Sequence, residues 1–260
     1  MLNTFAVGQS SNYKKEDSLS RAKRKERNRE RSQKDNITYI NPVPNKRRQV
    51  EVLPRNLSQE TYLETLKDYK KHIVFAIGPA GTGKTLIGVQ MAIKAFQEGN
   101  VDKIVVTRPA VSVDEQHGFL PGTLEQKMEP WVKPIFDVFN EYYYQKEISG
   151  MLQEGVIEIS PLAFMRGRTF KKAYIIADEM QNATPSQMKM LLTRIGEGSR
   201  MVVTGDLQQA DRMKSNGLLD FTNKVESRDN LNHIGVCTFG TGDVERHEAV
   251  KEILDIYGEG

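Results

Sequence analysis

Residues 78–85 read Gly78, Pro79, Ala80, Gly81, Thr82, Gly83, Lys84 and Thr85, the G-x-x-x-x-G-K-[ST] pattern of a phosphate-cradling loop. An apolar run, Ile73-Val74-Phe75-Ala76-Ile77, precedes it, and residues 86–93 follow with the spacing of a packed helix. Strand, glycine-rich turn and helix in that order leave few folds open. Consecutive backbone N–H groups and the positive end of a helix are brought to bear on one anion. Gly78, Gly81 and Gly83 permit backbone angles and a close approach that a Cβ would block. In such a loop the Lys84 ammonium reaches the β- and γ-phosphates, and the Thr85 hydroxyl ligates Mg²⁺.

Beyond the loop the chain alternates. Strand-like apolar runs fall at 103–107, 156–160, 173–177, 200–204 and 232–239, with helical patterns at 85–97, 124–147, 186–195 and 246–257. Upstream, Ser58 is placed to cap a helix running to about Tyr69, and Ile37-Thr38-Tyr39-Ile40 reads as a short strand. Strands alternating with helices predict an α/β fold of the P-loop NTPase type, its mostly parallel sheet covered by helices on both faces. The aromatic residues between 131 and 144 are expected to pack their helix against that sheet.

Two further strands end in polar groups. Tyr174-Ile175-Ile176-Ala177 runs into Asp178-Glu179, a pattern that suits Asp178 to the metal's water shell and Glu179 to orienting or deprotonating an attacking water. Met201-Val202-Val203 runs into Thr204-Gly205-Asp206 and on to Gln209. In a parallel sheet the carboxyl ends of the strands form the ligand crevice, so Thr204, Asp206 and Gln209 are candidates for sensing the γ-phosphate or the water.

The formal charge of +3 conceals an asymmetry. Residues 14–34 carry ten Lys and Arg against four Asp and Glu, with few apolar side chains. Such a segment buries too little surface to offset its ordering entropy. The expectation is a basic, disordered arm over 1–36, suited to nucleic-acid phosphates, followed by a single domain over 37–260. A single cysteine, Cys237, excludes an internal disulfide and fits a reducing, cytoplasmic location; its apolar neighbours place it in a core strand. No apolar run approaches the roughly 20 residues that span a bilayer, so no membrane association is expected.

With these residues in hand, the chain resembles the PhoH-like ATPases, which themselves resemble the first motor domain of superfamily-one helicases. The matching stretches are the loop at 78–85, Thr107-Arg108-Pro109-Ala110-Val111, Gly118-Phe119-Leu120-Pro121-Gly122, residues 161–169, Asp178-Glu179-Met180-Gln181-Asn182, residues 187–190, Thr204-Gly205-Asp206 and residues 243–247. Two positions depart from the pattern: Met180 stands where Ala is usual, and Gln208 where Thr is frequent.

The resemblance implies a RecA-like domain. It makes Gln59 a candidate for reading adenine, the alternative being a solvated helix residue. It implies that Gln181 contacts the γ-phosphate and attacking water, and that Arg108 lies near a nucleic-acid path or acts as a structural ion-pair partner. Arg166, Arg168 and Arg246 become candidates for phosphate contacts, on ATP or across a subunit boundary.

The expectation is therefore a Mg²⁺-dependent ATPase, its catalytic set Lys84, Asp178, Glu179, Gln181 and Arg246, acting on RNA or single-stranded DNA. With one motor domain and no second or nuclease domain expected, the resemblance implies a homo-oligomeric ring, a hexamer. The rivals are an ATP-controlled switch with slow hydrolysis and a small-molecule kinase.

Overall fold

In a computed structural model, residues 48–109, 124–209, 216–228 and 231–257 are described. The 1–36 arm and the strand at 37–40 lie outside those residues. In chain order the elements are α1 (Leu57–Lys67), β1 (Ile73–Ile77), α2 (Lys84–Gln97), β2 (Lys103–Thr107), α3 (Leu124–Tyr142), α4 (Gln145–Gln153) and β3 (Ile157–Ile159). Then follow β4 (Ala173–Ala177), α5 (Pro185–Leu192), β5 (Arg200–Gly205), α6 (Gly217–Glu226), β6 (Ile234–Thr238) and α7 (Glu248–Tyr257). The strands form one sheet in the order β3-β2-β4-β5-β1-β6, and every pairing is parallel. This is the α/β, RecA-like fold expected, with β5 inserted between the loop-bearing β1 and the acidic β4.

Period-two alternation divides the strand residues between two cores. Val74, Ala76, Ile104, Val106, Ile176 and Val202 join residues of α1, α2, α3 and α4 on one face. Phe75, Ile77, Val105, Ile175 and Val203 meet Met188, Leu191 and Leu218 of α5 and α6 on the other. Burial on both faces is why these strands read as continuous apolar runs rather than half-polar ones. Phe139 and Tyr143 are buried against the first face and Tyr144 is exposed, so the aromatic stretch is mostly core. Met180 is fully buried in the second cluster, and its departure from Ala is accommodated by packing.

The structure differs from the sequence expectation at element ends. The helix expected over 124–147 stops at Tyr142; Tyr144 takes an extended conformation, and its N–H donates to the Glu147 carboxylate (2.9 Å) to begin α4. Asn56, not Ser58, caps α1, its Oδ1 accepting from the Gln59 N–H at 2.9 Å. Helix α6 went unread, although Asn216 caps it by accepting from the Leu218 and Leu219 N–H groups.

Helix α6 is held close to the end of β4, where the Gly217 N–H donates to the Ala183 carbonyl at 2.6 Å. A Cβ on Gly217 would lie 2.5 Å from the Thr184 carbonyl oxygen, and backbone cannot move aside cheaply. Gly217→Ala is therefore expected to destabilise the fold by about 1–3 kcal/mol, read as a lowered urea midpoint.

Candidate active site

The loop between β1 and α2 has the conformation its glycines allow. Gly83, with φ 82°, turns the chain into α2, and a Cβ there would sit 2.9 Å from the Gln59 amide nitrogen. A Cβ on Gly78 would lie 2.4 Å from the Phe239 carbonyl oxygen. The loop's carbonyls are turned into the protein. Pro79 O accepts from Lys84 Nζ (2.5 Å) and Thr82 Oγ1 (3.0 Å), and Thr82 O accepts from Gln59 Nε2 (3.1 Å). Gly81 O accepts from the Glu245 N–H (3.0 Å), and Gly83 O from the Ile87 N–H (2.9 Å). With its acceptors engaged, the loop can present donors at the positive end of α2.

Register delivers the rest. Ala177 pairs with Val203, so the residues that follow, Asp178 and Thr204, lie side by side at the carboxyl edge of the sheet. Asp178 Oδ1 accepts from Thr204 Oγ1 at 2.5 Å and from Thr85 Oγ1 at 2.8 Å. Glu179 turns away into the left-handed region (φ 55°, ψ 37°), unusual for a residue with a Cβ. Its carboxylate accepts from Gln181 Nε2 (2.5 Å), while Gln181 Oε1 accepts from the Asp206 N–H (3.2 Å). The buried Gln181 amide thus connects the ends of β4 and β5. A cavity of about 290 Å³ opens between these groups and the loop, with Gln209 at its wall.

Lys84 is buried, and desolvation lowers its pKa; the nearby Asp206, Glu179 and Asp178 carboxylates oppose that shift. Around the cavity, among the described residues, three carboxylates face this single cation. Thr85 and Asp178 supply hard oxygen donors at one point, which suits Mg²⁺, an ion held by few protein oxygens together with phosphate.

Other candidates lie elsewhere or differently. Gln59 is not a solvated helix residue: it is 4% exposed, with Nε2 on the Thr82 carbonyl and Oε1 accepting from the Arg55 N–H (2.9 Å). Arg246 is exposed beside the loop, its Nε 4.0 Å from where a Gly81 Cβ would stand. Arg168 is instead paired with Glu158 of the edge strand β3 and stacks on Phe170 (4.5 Å), and exposed Arg166 precedes it by two residues. Arg108 donates to the Trp131 carbonyl (3.1 Å) and stacks on its ring. Sequence reasoning missed Asn56, which besides capping α1 donates to the Asp243 carbonyl (3.3 Å) and so fastens the 243–246 stretch over the loop. The signal was present: an Asn three residues before a Gln at a helix start. Cys237 lies in β6 as expected, 6% exposed, and burial pushes its thiol pKa up.

The family model described as "PhoH-like protein" matches residues 51–258. The chain belongs to the PhoH-like family. It is 42% identical over 213 residues to a PhoH-like protein of Mycobacterium leprae, covering 82% of this chain and 60% of that one. A PhoH-like protein of Bacillus subtilis is 42% identical over 205 residues (78% and 63%), and Protein PhoH of Escherichia coli 39% over 216 residues (79% and 58%). The chain thus spans about three fifths of the length of the curated relatives it matches.

Among solved structures, the Pif1 helicase of Candida albicans is similar at 14% identity and a TM-score of 0.38, over 80% of this chain and 44% of that one. The Sulfolobus solfataricus SWI2/SNF2 ATPase core in complex with dsDNA is similar at 15% identity and a TM-score of 0.41, over 74% and 46%. Neither likeness bears on what this chain does.

The double role of Asn56 makes it the separable element of this PhoH-like site. Asn56→Ala is expected to cost about 1 kcal/mol of unfolding free energy, and a thermal melt showing no loss would contradict its capping role.

Proposed function

We propose that this PhoH-like chain is a Mg²⁺-dependent ATPase. The observation that carries the reading is the meeting, at the ends of three strands, of a loop suited to phosphate, a threonine–aspartate oxygen pair suited to Mg²⁺ and a second carboxylate held by Gln181. Lys84 leaves the Pro79 carbonyl for the β- and γ-phosphates, regaining in charge-assisted bonds what it gives up. Thr85 and Asp178 would hold Mg²⁺, which would supply positive charge to offset that of the phosphates. Glu179 orients the attacking water and takes its proton, while Gln181 holds that carboxylate and reports its position to the 206–209 turn through Asp206. Thr204 and Gln209 complete the wall on the γ-phosphate side. Arg246, beside Gly81, contacts phosphate and adds a positive side chain where Lys84 faces three carboxylates.

The partner reading is RNA or single-stranded DNA, supported by the ten cations at residues 14–34, and the assembly reading is a homo-oligomeric ring. The proposed location is the cytoplasm; among the described residues no helix is long and apolar enough to cross a membrane. The domain reading stands as proposed from the sequence, a basic arm at 1–36 and one catalytic domain over 37–260. An ATP-controlled switch remains a second reading because Glu179 is strained and hydrogen-bonded rather than open to water, an arrangement that slows turnover until it is released.

Lys84→Ala is expected to abolish ATP turnover. Glu179→Gln should retain ATP binding yet lose turnover by at least about 100-fold, the lower end for a general base. Phosphate release measured with RNA, single-stranded DNA, duplex and no nucleic acid tests both readings: turnover unaffected in Glu179→Gln refutes the base, and no stimulation by any nucleic acid favours the switch.

A further inference from the structure

The sheet has a second polar edge, opposite the phosphate loop. Strands β1, β4, β5 and β6 start level there, as the pairings Ile73 with Met201, Tyr174 with Arg200 and Ile73 with Ile234 require. At about 4.8 Å per strand, four strand starts span about 14 Å. The turns leading into β1, β4 and β5 (68–72, 171–172 and 197–200) carry five cations, Lys70, Lys71, Lys171, Lys172 and Arg200, against Asp68 and Glu197. Lys70 and Lys171 are exposed, and neither is ion-paired among the described residues. Lys172 is 3.9 Å from Asp102 across solvent, a contact of little strength.

An aromatic platform stands in the middle of these charges. Tyr69 is 72% exposed. Its turn is rigid: the Arg200 guanidinium donates to the carbonyls of Asp68 (2.8 Å) and Lys71 (2.9 Å), and lies 5.5 Å from the Tyr69 ring. Lys71 Nζ donates to the Leu231 carbonyl (2.6 Å), and the rings of His72 and His233 meet edge to face at 5.2 Å. Beside Tyr69 and Arg200 lies a cavity of about 560 Å³, within the range of small-molecule sites. Tyr174 forms part of its wall, 1% exposed.

We propose that this amino-terminal edge of the sheet is a binding surface for single-stranded nucleic acid, separate from the ATP site. Lys70, Lys171 and Arg200 meet phosphates, and Tyr69 stacks on one base beside the cavity. Exposed cations that track a backbone, alternating with an aromatic face for the bases, are what unspecific single-strand recognition needs. The inference rests on the nucleic-acid reading above and assigns its location.

The test is fluorescence anisotropy of the full chain with labelled single-stranded RNA and DNA of one sequence, across a salt series. The variants are Tyr69→Ala and the double change Lys70→Glu with Lys171→Glu, all at exposed positions, with melting temperature and ATP turnover without nucleic acid expected to match wild type. Tyr69→Ala should weaken binding about tenfold. The charge reversal should flatten the slope of log affinity against log salt by about 0.7 for each phosphate that is no longer neutralised. Wild-type binding that both variants leave unchanged overturns this surface and spares the broader reading. Weakening in the charge variant alone means a polyanion held by charge and overturns the base contact. A wild-type chain that binds neither strand overturns both the surface and the nucleic-acid reading.

Discussion

One carboxylate oxygen ties the site together. Asp178 Oδ1 accepts from Thr85, at the start of α2, and from Thr204, near the end of β5. Because β5 separates β1 from β4, neither the loop nor the acidic strand could be placed against the other through backbone pairing alone. The contact works only if β4 and β5 are in the observed register, since a one-residue slip would turn Thr204 to the other face. Asp178 is only 7% exposed, and a carboxylate so buried is tolerable when its lone pairs are met by donors. Hydrogen bonds to a charged acceptor are about twice as strong as neutral ones, which suits this oxygen to hold the junction closed until a cation competes for it.

The loop is also clamped by segments far from it in sequence. Gln59 holds the Thr82 carbonyl from one side, and the Glu245 N–H holds the Gly81 carbonyl from the other. Asn56 links these two clamps through the Asp243 carbonyl. A change in α1 or in the 240–246 stretch is thereby a change in the phosphate loop, although neither segment carries a phosphate-binding motif. Arg246 inherits its place beside Gly81 from this arrangement.

The fold and the centre of the site were legible because they depend on local pattern. Each strand is an apolar run with β-branched residues, and the loop motif carries its own backbone geometry. That Asp178 and Thr204 share the carboxyl edge followed from placing two strand ends there; the hydrogen bond between them did not. Helix ends were less legible: α3 stops before Tyr144 because the Glu147 carboxylate captures its N–H, a three-residue contact that helical periodicity does not register. Helix α6 was readable although it was missed: Leu218, Phe221 and Val225 recur at helical spacing, and Asn216 marks its start. Long-range contacts left no trace in the letters. Nothing about Gln59 announces that its amide faces Gly83, nothing about Arg168 that it pairs with Glu158, and the left-handed turn at Glu179 is imposed by its surroundings.

The two sheet edges differ in charge, and part of the difference has a simple origin. In a parallel sheet the carboxyl edge receives helix N-termini, whose partial positive charge favours anions, and the opposite edge receives helix C-termini, which favour cations. That argument covers Lys67 and Lys94, which stand in the last turns of α1 and α2 and pair with Glu64 on α1 and with Glu98 just past the end of α2. It does not cover Lys70, Lys71 and Lys171, which lie beyond the helices in turns, nor Arg200, which opens a strand. Arg200 directs its hydrogen bonds to two carbonyls of the Tyr69 turn rather than to a carboxylate, so its charge is positioned but not neutralised. A fold that needed only to quiet helix dipoles would leave those turns neutral. Lys71 and Arg200, held to carbonyls and without carboxylate partners among the described residues, leave the charge of this edge available to a polyanion.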